Sequence, residues 1–142
     1  EGNYISDHYQ AEICGRFANT IWYDQCSDGR GYAHWAVSGT WARPDGSTPA
    51  DNGNIGPDAN EARFRHRPEA RSTNRWLDTG RIAGADTYRM FGLEGVVNVG
   101  ALQVVGEYQN LQLDRDSGFG PDVTLDGGYV YASYFLTGEH IP

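Results

Sequence analysis

The chain has 142 residues, enough for one ordinary domain, and only 39% of them are apolar. Nineteen glycines and an aromatic content of 13% argue against a helical core and favour many strands joined by turns. The formal net charge of −8 argues against a nucleic-acid partner, which requires a basic surface. No apolar run approaches the roughly 20 residues that a membrane-spanning helix needs, so a membrane protein with this sequence has to be a β-barrel.

The arginines, cysteines and histidines give three further expectations. All eleven basic residues are arginine, whose planar guanidinium suits oxyanion binding, although the base composition of the gene explains the same bias. Cys14 and Cys26 are expected to be free thiols, because about ten extended residues, or roughly 30 Å, separate them and a disulfide needs Cα atoms within about 7 Å. The four histidines show no metal-ligand spacing, so we expect neither a metal nor another cofactor.

The first half of the chain contains a predicted hairpin. Residues 11–23 and 31–42 alternate apolar and polar side chains, which predicts two strands, and the polar stretch 24–30 predicts the turn between them. Aromatic residues cluster near the turn end of this hairpin, as in the aromatic girdle of a membrane barrel. These aromatic residues are Trp22, Tyr23, Tyr32 and Trp35.

Three more strands are predicted in the second half of the chain. Residues 86–98 and 101–114 alternate on either side of a tight turn at 99–100, and 127–136 form a last strand before a turn at 137–138. Together with the first strand, they present a row of apolar side chains on one face of the predicted sheet. The members of this row are Ile13, Phe17, Phe91, Leu93, Val97, Leu102 and Val104.

The lengths of the connections indicate a topology. Long polar loops are predicted at 43–60 and 115–125, and a bacterial barrel has long loops outside the cell and short turns in the periplasm. The short strand predicted at 61–69 then runs inward, so a further irregular crossing is required at 72–84. A count of about six to seven strands is too low to close a bacterial barrel, which has an even number of at least eight. We therefore predict an all-β antiparallel meander, a partial transmembrane β-barrel in which residues 1–142 are one fragment without separate domains.

Five stretches of the sequence occur in the order found in a known family. They are Gly-Arg-Phe-Ala-Asn-Thr-Ile-Trp-Tyr-Asp at 15–24, Gly-Tyr-Ala-His-Trp at 31–35, Phe-Arg-His-Arg-Pro-Glu at 64–69, Glu94 and Glu107 on either side of Gly100, and Gly-Tyr-Val-Tyr-Ala-Ser-Tyr-Phe-Leu-Thr-Gly-Glu at 128–139. Together they resemble the phosphate-selective porin O/P family, and the closing Leu-Thr-Gly-Glu is the most specific match. Ile21 departs from the family, which often has proline at that position.

The resemblance implies a function for the whole protein. It implies a passive diffusion channel of the bacterial outer membrane, not an enzyme, with basic residues lining the pore. The expected partners are outer-membrane lipid, small anions such as phosphate, and two further copies of the full-length chain in a homotrimer.

Three arginines are candidates for the anion pathway. Arg63, Arg65 and Arg67 are two residues apart, so on a strand all three side chains project from one face. On the lipid face each would cost about 2–4 kcal/mol near the middle of the bilayer, so we expect them to line the lumen, together with Arg16 from another strand. An anion would then pass from one arginine to the next through several weak sites. Alternatively, these arginines pair with neighbouring carboxylates at a solvated end of the strand.

Two glutamates are predicted to share a face. Pairing across the 99–100 turn places residue 92 opposite Glu107 and Glu94 opposite residue 105. Two nearby carboxylates are the requirement of glycosidase chemistry, so a soluble secreted β-sheet domain that binds or processes glycans is the alternative function. Because the opposite face is apolar, we favour the simpler interpretation that both glutamates lie in a water-filled lumen and balance its arginines.

Overall fold

The computed structural model describes residues 11–27, 29–44, 60–66 and 75–139. Within these residues the chain forms nine β-strands and a short 3₁₀ turn at Gln25–Ser27. The strands are β1 (Glu12–Tyr23), β2 (Gly31–Ala42), β3 (Glu61–Ala62), β4 (Arg65–His66), β5 (Leu77–Asp78), β6 (Ile82–Ala83), β7 (Ala85–Val99), β8 (Leu102–Arg115) and β9 (Val123–Tyr134).

The five long strands form one antiparallel sheet in the order β1-β2-β7-β8-β9. This arrangement confirms the predicted all-β meander, and the five-stranded sheet agrees with the predicted partial barrel. The predicted turn at 24–30 is present as the 3₁₀ turn. Cys14 lies within β1 and Cys26 in this turn, and both are free, exposed thiols, in agreement with the length of strand between them.

The two crossings predicted at 61–69 and 72–84 are wrong for the described residues of those stretches. Instead of entering the sheet, these residues pair with each other: β3 with β6 and β4 with β5, with Glu61 opposite Ala83 and Arg65 opposite Asp78. The physical reason is that β2 pairs directly with β7, which leaves no position between them for another strand. The described part of the chain therefore has five long strands, rather than six to seven, and a separate hairpin. We call residues 60–66 and 75–84 the arginine hairpin.

Two other element boundaries differ from the prediction. The turn between β7 and β8 consists of Gly100 and Ala101, one residue later than predicted, and Gly100 has a φ of 60°, which favours glycine. The last long strand begins at Val123, because Val123 and Leu125 continue its alternation into the predicted loop. The connection before it is correspondingly shorter than 115–125.

The chain consists of two compact units that cut across the long strands. One comprises Glu1–Glu12, Trp41–Tyr88 and Leu113–Val123, and the other comprises Ile13–Thr40, Arg89–Gln112 and Thr124–Pro142. In the first unit the described core is small. Its buried apolar residues are Ala42, Ala62, Ala85 and Leu113.

The second unit keeps a row of apolar side chains outside any core. The seven apolar residues predicted to share a face are each between 37% and 70% exposed. A soluble β-sandwich would bury such a row between its two sheets. We refer to the side of the sheet that carries Phe17, Phe91 and Leu93 as the apolar face. The side that carries Arg16 and Glu94 is the polar face.

A buried amide connects the turn at Gly100 to the start of β2. Asn98 has no exposed surface, and its Nδ2 donates to the carbonyl of Arg30 at 3.1 Å and to that of Gly100 at 3.4 Å. The N–H of Gly100 donates to the same Arg30 carbonyl at 2.6 Å. Beside it, Gln103 Nε2 donates to the Tyr32 hydroxyl at 3.0 Å. These polar side chains hold the short turn in place.

Replacing Asn98 by alanine is expected to lower the free energy of unfolding by about 1–3 kcal/mol, because the two hydrogen bonds that this buried amide donates to main-chain carbonyls are lost. Chemical denaturation of the folded protein measures the change. Asn110→Ala is the control, since this amide accepts one exposed hydrogen bond, from Gln112 at 3.4 Å, and its loss is expected to stay within about 0.5 kcal/mol. Equal destabilisation by the two substitutions would contradict the role assigned to Asn98.

Candidate functional site

An ion pair on the polar face joins two of the predicted site residues. Arg16 of β1 binds Glu94 of β7 through two hydrogen bonds, Nε to Oε1 at 3.2 Å and Nη2 to Oε2 at 2.7 Å. These strands are not neighbours, since β2 lies between them. The pair extends across small residues of β2 such as Ala36, which is fully buried. An arginine of the predicted anion pathway is therefore in direct contact with one of the two predicted lumen glutamates.

The register of β7 and β8 places the two glutamates opposite each other. Because the turn occupies Gly100 and Ala101, Val99 faces Leu102, and counting back along both strands brings Glu94 opposite Glu107. The predicted partners, residues 105 and 92, are each offset by two positions. The offset arises from the one-residue error in the turn, and a shift of two positions leaves both glutamates on one face.

Glu107 is held by different partners from those of Glu94. Its carboxylate accepts a hydrogen bond from Gln109 Nε2 at 2.6 Å and another from the Tyr129 hydroxyl of β9. The polar face thus carries Arg16, Glu94, Glu107 and Tyr129 in a row that runs from β1 to β9. We call these four residues the polar row. With one arginine and two glutamates, its formal charge is −1.

Gly92 of β7 lies directly against Ser38 of β2. A Cβ added at Gly92 would collide with the Ser38 hydroxyl. On the adjoining pair of strands, Thr20 Oγ1 and His34 Nδ1 lie 3.1 Å apart, within hydrogen-bond distance. Small and hydroxyl-bearing side chains therefore surround the Arg16–Glu94 pair and keep it accessible, with side chains 50% and 35% exposed.

In the arginine hairpin one aspartate binds two arginines. Arg63 binds both oxygens of Asp78, Nε to Oδ1 at 2.8 Å and Nη2 to Oδ2 at 2.6 Å. Arg75 Nη1 donates to Oδ2 of the same carboxylate at 2.7 Å. Arg65 is exposed and makes no ion pair within the described part of the chain, although its Cα is opposite that of Asp78. Arg67 lies outside the described residues.

The hairpin packs against the first residues of β7 through two aromatic rings. Phe64 meets Tyr88 of β7 edge to face, with ring centroids 5.8 Å apart and an interplanar angle of 83°. Alternation along β7 puts Tyr88 on the same side of the strand as Glu94. Thr79 fixes Phe64, since its N–H donates to the Phe64 carbonyl at 3.0 Å and its Oγ1 accepts from the Phe64 N–H at 3.1 Å. This contact was not predicted from the sequence, where an isolated phenylalanine between two arginines is the signal for it.

Charge is unevenly distributed along the chain. Six of the eleven arginines lie between residues 61 and 81, where three carboxylates accompany them, so this stretch has a formal net charge of +3. Because the whole chain carries −8, the remainder carries −11. The positive charge of the protein is therefore concentrated in the segment that contains the arginine hairpin.

Hydrogen bonds shift the pKa values of charged side chains in the hairpin and in the turn after β1. Hydrogen bonds from Arg63 first and Arg75 second hold the pKa of Asp78 far below its usual range. The Asp78 carboxylate in turn raises the pKa of Arg63. In the turn after β1, the Ser27 hydroxyl lowers the pKa of Asp24 by donating a hydrogen bond of 2.6 Å. These carboxylates therefore remain charged in mildly acidic solution.

Asp78 is expected to titrate well below the unfolded-state value of about 3.9. Because its pKa is lowered in the folded state, the ion pairs stabilise the hairpin fully above about pH 4, and this stabilisation is lost as the pH falls through the folded-state pKa. A ¹³C NMR titration of the side-chain carboxyl measures this pKa directly. Arg63→Gln is expected to raise it towards the usual range, whereas the control Arg65→Gln changes it much less. A carboxyl that titrates normally in the unsubstituted protein would refute the pairing.

Comparison with known proteins places these features in a family. No helix of the described residues is long and apolar enough to cross a membrane. No curated protein and no solved structure matches the chain. Residues 19–141, however, match the family described as phosphate-selective porin O and P. This match covers most of the sequence and the five-stranded antiparallel sheet that the structure contains. The chain belongs to the phosphate-selective porin O and P family.

Proposed function

We propose that the chain forms part of the wall of a passive outer-membrane channel that favours small anions, phosphate among them. Membership of a porin family supports a porin-type channel rather than an enzyme. The observation that carries the preference for anions is the contact of Phe64 with Tyr88, which attaches the arginine hairpin to the polar face. In such a channel the polar face lines the water-filled lumen and the apolar face contacts lipid.

The apolar face has the extent that a bilayer requires. On β7 every residue of this face from Phe91 to Val99 is apolar or glycine, and Arg89 precedes them. On β8 every residue of this face from Leu102 to Tyr108 is apolar, aromatic or glycine. Nine residues at about 3.4 Å each span roughly 30 Å, which at a barrel tilt of about 40° becomes roughly 23 Å. The apolar band of an outer-membrane barrel is about 25 Å tall. This agreement supports contact with outer-membrane lipid.

The arginines of the proposed anion pathway contribute unequally. Asp78 neutralises part of the charge of Arg63 and Arg75, whereas Arg65 has no described ion-pair partner and is the strongest candidate to attract anions. Fixed positive charge in a lumen raises the local anion concentration, and several weak sites in series allow passage without trapping. We include Arg67 in the pathway from its spacing.

The polar row acts in the opposite direction. Arg16 is engaged by Glu94, and Glu107 adds a second negative charge beside it. We propose that both glutamates face the lumen and moderate the preference for anions set by the hairpin. The full-length protein is proposed to assemble as a homotrimer, as its family resemblance implies.

Leu93→Arg is expected to make folding into a lipid bilayer less favourable by about 2–4 kcal/mol, because it places a charge on the lipid-contacting face. Val96→Arg is the matched control, since it adds the same charge to the other face of β7, where water is available. Denaturant titrations of the full-length protein in lipid vesicles measure both values. If the two substitutions destabilise equally, the assignment of the faces is wrong.

Ion selectivity tests the role of the hairpin. Replacing Arg63, Arg65 and Arg67 together by alanine is expected to shift the channel towards cation preference, most clearly at low ionic strength, where screening is weakest. Glu94→Gln is expected to shift it the other way. The reversal potential of the full-length protein in a planar bilayer under a salt gradient measures both effects.

The control for this experiment is Arg89→Ala, compared one to one with Arg65→Ala. Alternation along β7 puts Arg89 on the side of the strand that carries Phe91, so its loss is expected to leave the reversal potential nearly unchanged. An unchanged potential in the triple variant, with conductance retained, would show that these arginines do not line the anion pathway.

A further inference from the structure

A pocket of about 240 Å³ lies between the arginine hairpin and the nearby ends of β1, β2 and β7. All its lining residues belong to one compact unit. Its volume is below the roughly 300–1,000 Å³ of pockets for drug-sized ligands, so it suits a solute of a single small ring. The lining consists of Ala11, Glu12, Ala42, Arg43, Pro44, Glu61, Ala62, Arg63, Phe64 and Tyr88.

Two aromatic rings provide the apolar part of this lining. Phe64 and Tyr88 stand almost perpendicular to each other, at 83°, so their ring surfaces form a corner. Tyr88 also brings a hydroxyl group, which donates and accepts hydrogen bonds. A ligand that packs on these rings needs an apolar face, because ring surfaces make few strong hydrogen bonds.

The charged part of the lining is balanced. Two arginines, Arg43 and Arg63, accompany two glutamates, Glu12 and Glu61, so the formal charge of these four side chains is zero. Three of these side chains each form an ion pair with a residue outside the lining: Arg43 with Asp86 at 3.0 Å, Arg63 with Asp78, and Glu61 with Arg81 at 3.3 Å.

The fourth charged group, Glu12, is the free acceptor of the pocket. Within the described residues its carboxylate accepts no hydrogen bond, although it lies close enough to Tyr88 to act on the phenol electrostatically. The remaining N–H groups of the two arginines are donors. The pocket therefore offers acceptors, donors and an apolar corner within one small volume.

This combination selects a class of ligand. A bare oxyanion would meet two carboxylates, and a bare cation would meet two guanidinium groups, so each would be repelled by half of the charged lining. A sugar ring has hydroxyl groups that both donate and accept, together with carbon-bound hydrogens that pack on aromatic rings. We infer that this pocket is a binding subsite for a single neutral sugar ring, and that the channel passes hydroxylated solutes as well as small anions. The passage of solute rests on the proposed channel function, whereas binding in the pocket does not.

Binding is tested on the full-length protein in detergent micelles with methyl α-D-glucopyranoside as the neutral probe. Saturation-transfer NMR and calorimetric titration are expected to show weak, saturable binding of the glycoside and weaker binding of inorganic phosphate. Phe64→Ala is expected to reduce affinity for the glycoside about tenfold by removing one wall of the corner. Trp76→Ala is the control, since this ring is on the same hairpin, is 76% exposed and does not line the pocket.

A second variant keeps both rings, in case Phe64→Ala disrupts the hairpin. Glu12→Gln changes the formal charge of the lining to +1, so it is expected to weaken binding of the glycoside severalfold and to strengthen binding of phosphate. Tighter binding of phosphate than of the glycoside by the unsubstituted protein would overturn the inference in favour of an anion subsite. Unaltered glycoside binding in both variants would place the glycoside elsewhere and overturn it as well.

Conductance in planar bilayers separates this inference from the proposed function. A protein that conducts ions but does not bind the glycoside retains the proposed function and loses the sugar subsite. A protein that binds the glycoside with the expected variant effects but does not conduct retains the subsite and loses the channel.

Discussion

The direct ladder between β2 and β7 is the constraint on which the rest of the structure depends. Because these two strands pair with each other, the paired segments between them in sequence form a hairpin outside the sheet. More than half of the arginines lie in this stretch. The strand pairing therefore places Arg63, Arg65 and Arg75 in a hairpin, held against β7 by Phe64 and Tyr88, rather than in a strand of the sheet.

The hairpin tolerates so many arginines because carboxylates are placed among them. Like charges at hydrogen-bond distance repel each other strongly, and Asp78 relieves this repulsion by binding Arg63 and Arg75 together. A surplus of positive charge remains, with Arg65 as its most available member. In the polar row the proportion is reversed, since Arg16 stands against two glutamates. The hairpin thus has an excess of positive charge among its described residues, and the polar row has an excess of negative charge.

Alternation along the strands gives the sheet one apolar face and one polar face. Side chains two residues apart share a face, so a single sequence period places Phe91, Leu93 and Val97 on one side and Tyr88 and Glu94 on the other. The seven residues of the apolar row stay exposed, and this exposure supports the lipid-contacting surface proposed for that face. The polar side is free to carry ion pairs, hydroxyl groups and a pocket without loss of the apolar contact surface.

The sequence predicted the five long strands, the two faces of the sheet and the family, because alternation and motifs are local properties of the chain. It also placed Glu94 and Glu107 on one face, since an error of one residue in the turn shifts the partner by two positions and preserves the side. The pairing of β2 with β7, of β3 with β6 and of β4 with β5 was not predicted. The short polar stretches around Arg63 and Asp78 fit a crossing strand and a hairpin arm equally well, because period-two alternation specifies a face and not a partner. The Arg16–Glu94 pair, the shared Asp78 and the Phe64–Tyr88 contact join residues distant in sequence, so no local pattern predicts them.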